Sequence, residues 1–183
     1  MDQEEALQSL ELVRQAAAQT RQAIARSGTG YFFIIWGAVW FLGFLASQLL
    51  GERAGYVWFG LDALGAVASA VVVVRAARRV RSTQGWRMGL FWLILMVYGG
   101  LQLWIVWPLP GDRYMMFITL LVSFGYALFG LWVSPHLLGA GIGMAALAVL
   151  GWLLLPAYIG YWMAFLGGGG MIAFGAYILL RWN

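Results

Sequence analysis

The sequence predicts an all-α polytopic membrane protein: six transmembrane helices in an antiparallel bundle, preceded by a cytoplasmic amphipathic helix. Three observations predict it. Of 183 residues, 63% are hydrophobic and 10% charged, where soluble domains carry roughly 45–50% apolar and about 25% charged residues. The mean hydropathy is +0.82. The apolar residues gather in runs of about 20, the length at which an α-helix crosses a hydrocarbon core of about 30 Å.

The first element, residues 1–28, is polar and helix-prone. Ala6, Leu10, Val13, Ala17, Thr20 and Ile24 recur four and three residues apart, a narrow heptad-like stripe. Asp2, Glu4, Glu5 and Glu11 come first and Arg14, Arg21 and Arg26 last, the order that a helix dipole favours. Ser27-Gly28-Thr29-Gly30 breaks the pattern and separates this helix from a membrane domain over 29–183.

Six apolar segments follow, at 30–50, 56–75, 88–107, 114–133, 137–155 and 158–180. They must be helices, because lipid offers backbone groups no partners and the segments lack the alternation of a barrel strand. Their connections are short, at Gly51–Gly55, Pro108–Arg113, Ser134–His136 and Pro156-Ala157, so sequential helices should pack as antiparallel neighbours.

Orientation follows from the basic residues, all eleven of them arginine. Nine flank one side, including the run Arg75, Arg78, Arg79, Arg81 and Arg87, while Arg53 and Arg113 alone flank the other. Arginine stays on the cytoplasmic side, so both termini are expected there, in the inner (plasma) membrane. With acids at the start and no apolar core before residue 30, the first span reads as an uncleaved anchor. Trp58, Trp104, Trp107, Trp152 and Trp162 fall near outer span ends and Trp86, Trp132 and Trp182 near inner ends, as indoles at headgroup depth would.

Composition also removes function classes. There is no cysteine and one histidine, His136, so thiolate sites and cysteine nucleophiles are excluded, and no metal or other cofactor is expected. The arginines bracket apolar segments instead of forming a soluble basic face, which argues against nucleic acid. No glycine follows a strand or precedes a Lys-Ser/Thr pair, so no nucleotide loop is indicated. Ser123 sits in a Phe-Gly-rich helix, no Gly-x-Ser-Gly is present and no second span carries a histidine base, so the chain is not expected to be an enzyme.

The 25 glycines are expected to let helices approach closely, chiefly at Gly139-x-x-x-Gly143 and at Gly167 and Gly168. The Gly167–Gly170 run also permits the last span to unwind and offer carbonyls to a substrate. A weak echo of Phe-Gly pairs at Phe59-Gly60, Phe124-Gly125 and Phe174-Gly175 does not superpose in depth, so a repeat is not inferred.

Ionisable groups in a bilayer are costly, which makes each a candidate site. Asp62 is the only acid within the six segments. Gln48, Gln102 and Thr119 share its half of the membrane, with Arg53 and Arg113 at its rim, and together with Asp62 they could line a polar vestibule facing outward. The structural alternative pairs Asp62 with Arg113 or Arg53 and uses the glutamines as interhelical glue. The Arg75, Arg78, Arg79, Arg81 and Arg87 connection is expected to contact anionic headgroups. His136, in a short turn, has no charged partner of opposite sign nearby.

The stretch Ala23–Phe44 (AIARSGTGYFFIIWGAVWFLGF), with Gly85–Trp92 (GWRMGLFW) and Leu155–Tyr158 through Gly167–Gly170, resembles a group of uncharacterised bacterial six-span membrane proteins. The resemblance implies the helical start and six spans, and no activity. The expected function is a scaffold or regulatory membrane component that engages a cytoplasmic partner through its N-terminal helix or a second copy of itself. The alternative is a small-solute or ion transporter built around Asp62.

Overall fold

The computed structural model describes residues 28–77, 85–133 and 135–181, together with Glu11, Leu12 and Gln15. The amphipathic helix expected over 1–28 therefore lies almost wholly outside the described residues, as do Arg78, Arg79, Arg81 and Trp182. Among the described residues there is helix and no strand.

The helices are α1 (Thr29–Leu50), α2 (Ala54–Ala77), α3 (Gly85–Val106), α4 (Gly111–Val133) and α5 (Pro135–Leu154), followed by a last helical run, α6 (Pro156–Arg181). Each apolar segment read from the sequence falls on one of them. Five stretches are long and apolar enough to cross a membrane: Thr29–Ala76, Trp86–Val106, Gly111–Trp132, Leu137–Leu154 and Pro156–Arg181. The chain is accordingly membrane-embedded. The first stretch, of 48 residues, holds both α1 and α2, divided by the 3-10 turn Gly51–Arg53. Gly51 makes this possible: at φ 55 it adopts a conformation that side chains disfavour, and its N–H returns to Ser47 O to close the end of α1.

α6 is not uniform. It opens with a 3-10 turn at Pro156–Tyr158, passes through a π-helical segment at Met163–Gly168 and finishes as α-helix over Gly169–Arg181. The glycine run thus widens the helix without breaking it. Carbonyls there stay inside a helix instead of being laid open, which favours close crossing over the unwound alternative.

The crossing partner is α1. A Cβ placed on Gly37 would lie 2.8 Å from Ile172 N and 2.9 Å from Gly168 O, and one on Gly168 would lie 2.7 Å from Phe41 Cα. Further along the same seam, Gly30 abuts Gly175 O and Gly160 abuts Phe44 O. Residue numbers rise on one helix as they fall on the other. The same order joins α1 to α2, where Gly43 faces the Trp58 ring and Gly65 faces Val39, and α4 to α5, where Gly130 meets Leu138 and Gly141 meets Ser123 O.

Aromatic side chains fill what the glycines leave. Phe33 meets Phe174 edge-on at 5.0 Å between centroids and lies against Tyr126 of α4 at 6.0 Å, while Phe44 meets Trp40 at 5.4 Å and Trp58 at 5.2 Å. Edge-to-face pairs of this kind add about 0.5–1.5 kcal/mol beyond the area they bury. The core therefore sits around α1, with α2 and α6 against it and α4 reaching it through Tyr126. α3 touches α4 where Gly99 meets Leu121 and Gly125 meets Leu95, and most of its surface remains open.

Of the four glycines expected to pack helices, Gly168 is tight and Gly167 makes ordinary contact with α1, 3.8 Å from Trp40 Cε3. Gly139 and Gly143 meet nothing within 4 Å. The packing of α5 falls instead on Gly141, between them, where a Cβ would come to 2.6 Å from Ser123 O. Gly139→Ala and Gly143→Ala are accordingly expected to leave the unfolding free energy of the monomer within about 0.5 kcal/mol, and Gly141→Ala to lower it by about 1–3 kcal/mol. Denaturant unfolding of the three variants in mixed micelles checks this ranking.

Candidate functional site

The polar residues singled out in the sequence separate into three environments. Gln48, at the end of α1, is spent on the start of α6: its Nε2 donates to Ala157 O at 2.9 Å and its Oε1 accepts from Gly160 N at 2.9 Å. The first N–H groups of a helix have no partner within it, and no side chain of the Pro156–Trp162 segment caps that start. A glutamine from another helix does so. This is the glue expected of intramembrane amides.

Thr119 is 1% exposed and Ser123 fully buried, both within the packing of α4. Ser123 Oγ donates to Thr119 O at 2.7 Å, a local back-bond that satisfies the hydroxyl without reaching across helices. Thr119 Oγ1 and, on α2, Ser69 Oγ are buried without a hydrogen-bond partner. Thr119 is thus removed from any open vestibule.

Asp62, Gln102 and Arg113 make up the third environment. Asp62 lies eight residues into α2, about 12 Å from its start at 1.5 Å per residue, and it is exposed. Among the described residues no ion pair joins it to Arg53 or Arg113, so the pairing considered in the sequence is absent. Gln102 and Arg113 line an open groove of about 520 Å³ between the end of α3 and the start of α4, with Ile105, Val106, Leu109 and Phe117. Asp62 is not among the lining residues. The expected vestibule is therefore divided: Gln48 and Thr119 belong to helix packing, Gln102 and Arg113 to one groove, and Asp62 to the neighbouring α2 surface.

Of the headgroup arginines, Arg75 and Arg87 are described and exposed. The Arg87 guanidinium sits 5.6 Å from the Trp86 ring centroid, a cation–π contact worth about 0.5–1 kcal/mol where exposed. Trp86, Trp104, Trp107 and Trp132 are exposed near helix ends. Two other tryptophans are not simple belt residues. Trp58 Nε1 donates to Ser47 Oγ at 2.9 Å, and Trp162 Nε1 donates to Leu147 O at 2.8 Å, so each ties its helix to the preceding one. The sequence carries a signal for the first: Ser47 and Trp58 are placed symmetrically about the Gly51–Gly55 turn and so share a depth. The Leu147 carbonyl has no such mark.

Among the described residues no three His, Asp or Glu side chains gather as a metal site requires. No family model, curated protein or solved structure matches the chain.

Proposed function

We propose that this chain is a plasma-membrane scaffold or regulatory component, crossing the bilayer six times as an antiparallel bundle with both termini in the cytoplasm. Its N-terminal helix would engage a cytoplasmic partner, and its arginine-rich connection would rest on anionic headgroups. The observation that carries this reading is where the polar groups of the spans are spent. Gln48, Trp58 and Trp162 each tie one helix to another, which is what a bundle built for mechanical integrity needs. The opposed residue order along the glycine seams and the break at Gly51–Arg53 support six antiparallel crossings. The open faces of Gly139 and Gly143 leave small residues free to meet a second copy.

A second reading, transport, is favoured by one observation: Asp62 stands exposed, without an ion pair among the described residues, on a membrane-embedded helix, where an unpaired charge costs about 2.5–3.5 kcal/mol at the bilayer centre on insertion scales. The two readings part on a single variant. For a scaffold, Asp62→Asn raises stability or leaves it unchanged, liposomes carrying either protein pass no ions or small solutes, and deleting residues 1–26 abolishes capture of the cytoplasmic partner. A flux through the unaltered protein that Asp62→Asn abolishes would overturn the scaffold reading.

A further inference from the structure

We infer that the open side of α2 around Asp62 seats a transmembrane helix of a different membrane protein, one that carries a lysine or arginine inside its span to pair with the Asp62 carboxylate. This partner lies within the bilayer and is separate from the cytoplasmic one of the scaffold reading. The inference rests on that reading only in taking α2 to cross the membrane.

α2 is covered along one side. Trp58 and Gly65 meet α1 at Gly43 and Val39, and Val72 lies against Gly28. Turned away from that seam, Gly55, Phe59, Asp62, Ala66, Ala70 and Val73 follow one another three or four residues apart and so share a side of the helix. All six are exposed. A Cβ on Gly55 would meet nothing within 4 Å. Five of the six suit contact with lipid. Asp62 does not, because a carboxylate in a span faces a partner or a water-filled cavity.

The chain itself does not supply the missing charge. Its eleven basic residues are all arginines, and each flanks a span instead of lying within one. Asp62 stands about 12 Å into α2, so Arg53, nine residues earlier, is about 13 Å nearer the membrane surface, and Arg75 is about 20 Å away toward the other end. Among the described residues neither these nor Arg113 forms an ion pair with it.

Depth and charge together select the occupant. Copies of one chain share an orientation in the bilayer, so in a twofold contact each residue lies at its counterpart's depth. The arginines of a second copy would therefore be as far from Asp62 in depth as the chain's own. A bound metal ion needs several oxygen ligands, and among the described residues no three His, Asp or Glu side chains gather. A foreign helix with a cation at the depth of Asp62 supplies the charge, and Gly55, Ala66 and Ala70 let its backbone approach closely.

The probe is a synthetic leucine–alanine helix of about 20 residues, with one lysine about 12 Å from one end. It is placed with the full-length protein in phosphatidylcholine vesicles, and association is read by energy transfer to a dye on Leu49→Cys, the chain having no cysteine of its own. The lysine peptide should associate about tenfold more strongly than the same peptide with leucine in its place. Asp62→Asn and Ala66→Trp should each remove that preference, and Asp62→Glu should keep most of it. Leu64→Trp should keep all of it, since Leu64 is exposed and, two residues from both Asp62 and Ala66, turned to another side of α2. A lysine moved to the peptide's end should lose it. Equal association of the two peptides, an undiminished preference in Asp62→Asn, or equal loss in Leu64→Trp and Ala66→Trp would each overturn the inference. So would transfer between labelled chains alone that Asp62→Asn abolishes, which would assign the face to a second copy. A membrane-impermeant maleimide tests the underlying reading separately: it should label Glu52→Cys and spare Asp62→Cys. Equal labelling would place α2 outside the bilayer and overturn both, whereas a protected Asp62→Cys with no peptide preference would overturn this inference alone.

Discussion

Gly168→Ala is expected to destabilise the bundle by about 1–3 kcal/mol, toward the upper end of what overpacking costs. One methyl group is added, and the sign of its effect depends on two opposed terms. Replacing glycine by alanine in a helix interior relieves a conformational entropy cost of about 1 kcal/mol. Against that gain, the new Cβ would lie 2.7 Å from Phe41 Cα and 2.8 Å from Gly37 O, and closer still to Phe41 N. All three are backbone atoms of α1. A flexible side chain in the way could rotate, whereas a backbone moves only if the whole helix does. The seam must therefore open or the π segment must shift, and either disturbs the contacts on both sides, from Gly30 against Gly175 to Gly160 against Phe44.

Gly170 provides the control. It stands two residues further along the same glycine run, and a Cβ there would meet nothing within 4 Å. Gly170→Ala should therefore be neutral or stabilising by up to about 1 kcal/mol, in the same micelles and by the same unfolding measurement. A Gly168→Ala protein as stable as Gly170→Ala would show that α1 and α6 do not cross at backbone contact.

The contrast between Gly168 and Gly170 also marks how far the sequence could be read. Helix positions were legible because a bilayer imposes a length and forbids unpaired backbone, so runs of apolar residues and the breaks at Gly51, Pro108 and Pro156 locate the helix ends to within three residues. Which face of each helix turns inward was not. In a span apolar all round, no polar side contrasts with an apolar one, and spacing alone does not distinguish Gly139 and Gly143, which are open, from Gly141, which is closed. The partner helix decides, and it is remote in sequence.

The same reason explains the mixed fate of the candidate polar residues. Asp62, Gln48, Gln102 and Thr119 were identified as intramembrane polar groups from their type and depth alone. Their separation into a glue residue, a buried hydroxyl, a groove wall and an exposed acid depends on rotation about the helix axis, which a run of apolar neighbours does not encode.

Gln48→Leu is expected to cost about 1–3 kcal/mol, although leucine is close in volume and more soluble in lipid. The loss arises in what is left behind. Both Gly160 N–H and Ala157 C=O lose their partner; Ala157 is exposed, so the loss falls chiefly on the buried Gly160 N–H, and a buried donor left unpaired costs about 1–3 kcal/mol. Interhelical hydrogen bonds in membranes average only about 0.6 kcal/mol, because the separated helices find other partners. That averaging is weaker here, since the Gly160 N–H belongs to the opening turn of a helical run that its own side chains do not cap.

Gln48→Glu separates the two hydrogen bonds. It keeps an acceptor for Gly160 N–H and replaces the amide donor to Ala157 O by a carboxylate oxygen that faces a carbonyl, so protection of the Gly160 amide should survive while stability falls. In Gln48→Leu the Gly160 amide should instead exchange with solvent deuterium measurably faster than its neighbours Ile159 and Tyr161. Gly160→Ala should mimic the loss from the other side, because its Cβ would come within 2.7 Å of Gln48 Oε1. Two changes that break one contact are not additive, so the double variant Gln48→Leu/Gly160→Ala should cost clearly less than the two single losses together. Full additivity would mean that Gln48 does not cap α6.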